Sequence, residues 1–107
     1  MISEKKTLTY RFGEKVAVDN VSFLTSELEP FFQSENIRRV IFDLENVSVC
    51  DLYGIHFFLH FQRRAEHVKK TLFLFRPKYV LVEILRNAGL VHIFTIINTL
   101  EDNDEKQ

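Results

Sequence analysis

The sequence has one cysteine, no tryptophan, almost no net charge and no long apolar run. A lone cysteine, Cys50, cannot close a disulfide within the chain, which excludes the disulfide-stapled secreted classes and fits a reducing compartment. No apolar stretch approaches the ~18 residues that a membrane span requires, so membrane insertion is not expected. A formal charge of −1 creates no general field favouring nucleic acid or anionic lipid. Basic residues occur as pairs, Arg38-Arg39, Arg63-Arg64 and Lys69-Lys70, without interleaved aromatics, and read as solvated surface. Residues 1–6 lack the apolar centre of a secretory signal, so the expected compartment is the cytoplasm.

What is present belongs to an ordinary globular domain. The 107 residues are 46% hydrophobic and 27% charged, the size and balance of one domain with one core. Eleven phenylalanines must find a core or an interface. Residues 7–12 alternate like a strand, Gly13-Glu14 signals a turn, and residues 15–18 resume a short strand, which predicts an opening β-hairpin. Asp19 or Asn20 can cap a following helix whose apolar residues are Val21, Leu24, Leu28, Phe31 and Phe32, with Pro30 expected to kink it. Residues 40–44 and 71–75 are apolar runs expected as strands buried on both faces.

Between those runs, residues 51–69 take a helical period with Gly54, Phe58, Phe61, Ala65 and Val68 facing inward. Asp51 is its expected N-cap. Pro77 opens a further helix with Val80, Leu81, Ile84, Leu85 and Ala88 on its core face, and Gly89 suits a left-handed cap with Leu90 packing back. Residues 94–99 form a last strand, and residues 101–107 a solvated tail. The fold class is therefore α/β, a mixed, mostly parallel sheet opened by a hairpin with helices packed on it, in a single domain over residues 1–107.

The run Val40-Ile41-Phe42-Asp43-Leu44, the approach Val47-Ser48-Val49-Cys50-Asp51, the segment Asp51-Leu52-Tyr53-Gly54-Ile55 and the stretch Asn87-Ala88-Gly89-Leu90 before Ile93-Phe94 carry a resemblance. In that order and spacing they resemble the STAS domain family of sulfate transporters and anti-sigma factor antagonists. The resemblance implies a protein-interaction switch, not an enzyme, whose partner is an anti-sigma factor or serine-kinase-like protein, or another STAS protein. It also implies a phosphoacceptor serine at the position occupied here by Leu52. Leucine has no hydroxyl, so no phosphorylation is expected there, while the docking surface is retained. Family members tend to carry small residues at positions 56 and 60.

The expected partner-binding set is Asp51, Leu52, Tyr53, Gly54, His56, Leu59, His60 and Arg63, of which Leu52, His56, Leu59, His60 and Arg63 share one outward stripe. His56 and His60 stand at i,i+4, but no third ligand completes a metal site, and neither metal nor cofactor is expected. Cys50 with His56 lacks the orienting group that a thiol nucleophile needs, so a half-buried structural cysteine is the simpler reading. Asp43 ends a strand as a receiver's phosphoacceptor does, but no acidic pair or lysine accompanies it. Two alternatives to an antagonist-like regulator of transcription remain. One is a structural STAS subunit in a stressosome-like or transporter-associated complex. The other is a degenerate receiver-like phosphoacceptor or small-ligand sensor domain.

Overall fold

The computed structural model describes residues 6–100; the expected tail at 101–107 lies outside them. In chain order the elements are β1 (Lys6–Arg11), β2 (Lys15–Val16), α1 (Val21–Gln33), β3 (Ile37–Asp43), β4 (Val49–Cys50), α2 (Leu52–His67), β5 (Thr71–Phe75), α3 (Tyr79–Asn87), a 3-10 turn (Val91–Ile93) and β6 (Thr95–Ile97). Four strands form one sheet in the order β1-β3-β5-β6, and β2 pairs with β4 in a separate two-stranded sheet. Every pairing among the described residues is parallel.

The α/β architecture stands as expected, but the opening hairpin does not. β1 runs beside β3, with Thr9 opposite Ile41, while β2 lies beside β4, with Val16 opposite Cys50. Gly13-Glu14 is therefore the step from one sheet to the other. The Glu14 carbonyl accepts N–H bonds from Ser48 and Val49, and the Asp43 carbonyl accepts that of Phe12. Alternation in a sequence specifies which side of a strand is buried and leaves its partner open.

The two faces of β3 explain its unbroken apolar run. Val40, Phe42 and Leu44 join a core with Leu24, Leu28 and Phe32 of α1, Phe57, Phe58 and Phe61 of α2, and Leu81 and Leu85 of α3. Ile41 joins Phe73, Phe75 and Ile97 in a second, smaller cluster. Six phenylalanines (12, 32, 42, 57, 58 and 61) form one network of ring contacts at 4.8–6.4 Å between centroids. Burying each such ring stabilises the fold by roughly 1.5–3 kcal/mol, with about 0.5–1.5 kcal/mol more for a well-oriented pair.

Local signals fix some helix ends and not others. α1 continues past Pro30 to Gln33, so the proline does not end it, and the Pro30 carbonyl accepts the Ser34 N–H at 3.1 Å. Asn20 precedes α1 without capping it through its side chain. Its Oδ1 instead accepts the Ala17 N–H at 2.9 Å, and its amide donates to the Lys15 carbonyl at 2.8 Å. Pro77 lies outside α3, whose N-cap position is Lys78. Val80 and Ala88 are exposed, leaving Leu81 and Leu85 as that helix's buried contacts. Gly89 takes φ +77°, and the Gly89 and Leu90 N–H groups bond back to Arg86 and Leu85, the paired closure that a left-handed residue permits.

Candidate functional site

Residues 48–54 bring β4 into α2, and backbone chemistry decides their shape. Asp51 Oδ1 accepts the Gly54 N–H at 3.0 Å, which makes Asp51 the N-cap of α2 as its sequence context predicts. Its Oδ2 accepts the Val18 N–H, also at 3.0 Å. One carboxylate therefore caps α2 and ties down the loop that enters α1. The Val18 N–H first, then those of Gly54 and Tyr53, hold the Asp51 carboxyl below its ordinary range.

Gly54 sits where α2 presses on the small sheet. A Cβ built there would lie 2.2 Å from the Val16 carbonyl oxygen and 2.7 Å from Cys50 Sγ. The helical period is enough to place Gly54 inward, but not to show that it meets β2 and β4 rather than the larger sheet. Burial, and then the Asp51 charge, push the Cys50 thiol up to about 11. At neutral pH that thiol is protonated and a poor nucleophile.

The first turn of α2 is open to solvent, with Leu52 62% exposed and Tyr53 beside it also exposed. The next turns carry His56, Leu59, His60 and Arg63, which together line a shallow groove of about 470 Å³. Of the expected stripe, these four line one groove, with Leu59 half-buried, and Leu52 stands apart from it at the start of the helix. The inward face differs from the periodic pattern: Phe57 and Gln62 are buried as well, while Val68 is only half-buried. Gln62 is silent in the sequence because a polar residue at the border of a helical stripe carries no signal of burial; its amide donates to Glu66 at 2.9 Å.

α1 and α2 lie side by side and run the same way. Val18 and Asp51 meet before both helices start, and Glu29 and Arg64 meet near both ends, with Arg64 Nε 2.5 Å from Glu29 Oε2. His60 Nε2 stands 3.9 Å from the other Glu29 oxygen. Among the described residues, no three His, Cys, Asp or Glu side chains converge in a metal-binding group. Asp43 is 6% exposed, with Oδ1 accepting the Glu45 N–H at 3.2 Å and Oδ2 3.8 Å from Arg76 Nη2, so its carboxylate closes a turn.

In a parallel sheet the helices all begin beyond the C-terminal ends of the strands, and here that edge carries apolar side chains outside the expected set. Val18, Phe23 and Val49 are exposed with Leu52 and Tyr53, as are Tyr79 and Val80 at the start of α3. Phe23, 63% exposed, lies off the apolar face of its own helix. An aromatic at such a position is a further signal of this edge that the sequence carries.

A family model described as the STAS domain matches residues 2–103. No curated protein matches the chain. Several solved structures share its fold, among them the following three. The anti-sigma factor antagonist SpoIIAA in its unphosphorylated form is 14% identical, with a TM-score of 0.71 over 99% of this chain and 92% of that one. The Bacillus cell fate determinant SpoIIAA in its phosphorylated form is 17% identical, with a TM-score of 0.71 over 100% and 96%. A protein from Thermotoga maritima, described as a candidate anti-sigma factor antagonist, is 13% identical, with a TM-score of 0.81 over 92% and 86%. No helix among the described residues is long and apolar enough to cross a membrane.

Proposed function

The chain belongs to the STAS domain family, and from that membership we propose that it is a protein-binding regulator resembling an anti-sigma factor antagonist, docking its partner through the start and outer face of α2. It acts by binding in the cytoplasm and catalyses no reaction. Its partner is an anti-sigma factor or serine-kinase-like protein, or another STAS protein. Asp51 and Gly54 shape the docking loop, and Leu52, Tyr53, His56, Leu59, His60 and Arg63 meet the partner. Leu52, in the place of the family's phosphoacceptor serine, removes the usual switch and puts an apolar side chain in its stead.

The observation that carries this reading is the exposed Leu52 at the start of α2 together with the groove lined further along the same helix by His56, Leu59, His60 and Arg63. Together they pair apolar area with directional polar groups, the make-up of an interface core and its rim. The bonds from Gly54 and Val18 to Asp51 tie the loop down, which reduces the ordering cost of binding.

The test is a partner captured from the native cytoplasm, identified by mass spectrometry and titrated by calorimetry. Leu52→Asp and Leu59→Glu should each weaken binding about tenfold or more, since a carboxylate would have to be desolvated where an apolar side chain now packs. Leu52→Asp should keep near-native stability, as exposed substitutions usually stay within about 0.5 kcal/mol. Thr9→Glu, exposed on β1, serves as the control. Full binding by both α2 variants together with failure of the control would move the docking face elsewhere.

A further inference from the structure

At the opposite edge of the sheet, where α1 and α2 end, a second hollow of about 360 Å³ opens between the helix ends and the strands that follow them. Phe32 and Val68 contribute to its walls, and Arg38, Arg64 and Lys70 line it with one carboxylate, Glu35, while Glu29 pairs with Arg64 from outside the lining. We propose that this hollow binds a small, multiply charged oxyanion of the phosphate or pyrophosphate type.

The accounting of donors supports it. Lys70 is only 9% exposed, and its ammonium donates to the carbonyls of Ser34 at 2.6 Å and Ile37 at 2.5 Å. Cations near helix C-termini offset the helix dipole, which explains one such head. It does not explain why two guanidinium groups crowd the same hollow. Arg64 spends its Nε on Glu29, which leaves its outer nitrogens as donors. Arg38 is exposed, and its guanidinium makes no hydrogen bond or ion pair among the described residues. Burial, and then the charges of Arg38 and Arg64, hold the Lys70 ammonium below its ordinary range. Like charges gathered this way destabilise the empty protein and are relieved by a bound anion. Arginine forks match the oxygens of a phosphate group, and the third ammonium proton of Lys70 adds a point contact.

This site is independent of the docking surface on α2, so each can fail without the other. The experiment is a titration of the 15N-labelled chain with sodium pyrophosphate, and separately with inorganic phosphate, at ionic strength held constant with sodium chloride. Saturating shifts should be confined to residues 33–38, 64 and 68–70, with pyrophosphate binding more tightly than phosphate. Arg38→Gln should weaken binding about tenfold or more, the effect of removing one charge-assisted bond. Glu35→Gln should tighten it severalfold, an opposite sign that loss of structure cannot mimic. Drift that does not saturate, shifts centred on the start of α2, or unchanged affinity in Arg38→Gln would each overturn the site.

Discussion

Consider replacing Gly54 by alanine, the smallest change that adds a Cβ where α2 meets β2. The new carbon would lie 2.2 Å from the Val16 carbonyl oxygen, whereas a close carbon–oxygen contact is roughly 3.3 Å. About 1 Å of movement is needed, and the atom in the way is backbone. The neighbouring atom, Cys50 Sγ at 2.7 Å, belongs to a half-buried side chain that would have to shift as well. Overpacking of this kind costs about 1–3 kcal/mol. Alanine returns at most about 1 kcal/mol of helix propensity, and less in a first turn. The net loss should be about 1–2 kcal/mol, a fall in Tm of roughly 5–10 °C for a domain of this size, and valine should cost more. Gly13 provides the comparison, because a Cβ there meets nothing within 4 Å, so Gly13→Ala should be close to neutral. Thermal and urea melts of both alanine variants check the pair. A Gly54→Ala protein as stable as the parent, or less harmed than Gly13→Ala, would refute the close approach of α2 to β2.

Asp51→Asn should lower stability at pH 7, and the gap should close on acidification. The folded carboxyl lies below its ordinary value, so its contribution is present above an unfolded pKa of about 3.9 and is lost as pH falls through the folded one. Melts at pH 7, 5 and 3 showing a constant gap would contradict this. Lys69 holds φ +63° at the end of α2, so Lys69→Gly should raise stability by about 1 kcal/mol in a urea melt, and a loss would count against the left-handed cap. Incubation with a family-type anti-sigma serine kinase and ATP should leave the intact mass unchanged. A stoichiometric phosphoryl group on Ser48 or Tyr53 would show that another hydroxyl has taken over from position 52.

Much of the site was legible in the chain because its determinants are local. An aspartate before a helical period is an N-cap whatever surrounds it, and Asp51 is one. The period of residues 52–67 is enough to turn Gly54 inward and Leu52, His56, His60 and Arg63 outward, and a glycine closing a helix before Leu90 is enough to foresee the left-handed Gly89. Alternation in residues 7–12 likewise marks which side chains of β1 are buried.

Partners across the fold follow from packing instead, and they were decided only in three dimensions. β1 and β2 looked like neighbours because two strands joined by a turn usually pair. They part because each finds a parallel partner, β3 and β4, beyond α1. The bonds that shape both candidate sites span similar separations: 33 residues for Val18 and Asp51, 35 for Glu29 and Arg64, 36 for Ser34 and Lys70. A periodic pattern reports the angle of a side chain about its own axis, and nothing in it encodes which distant backbone will stand opposite. That choice belongs to the shared apolar core, which sets the helices side by side and thereby determines which charges meet.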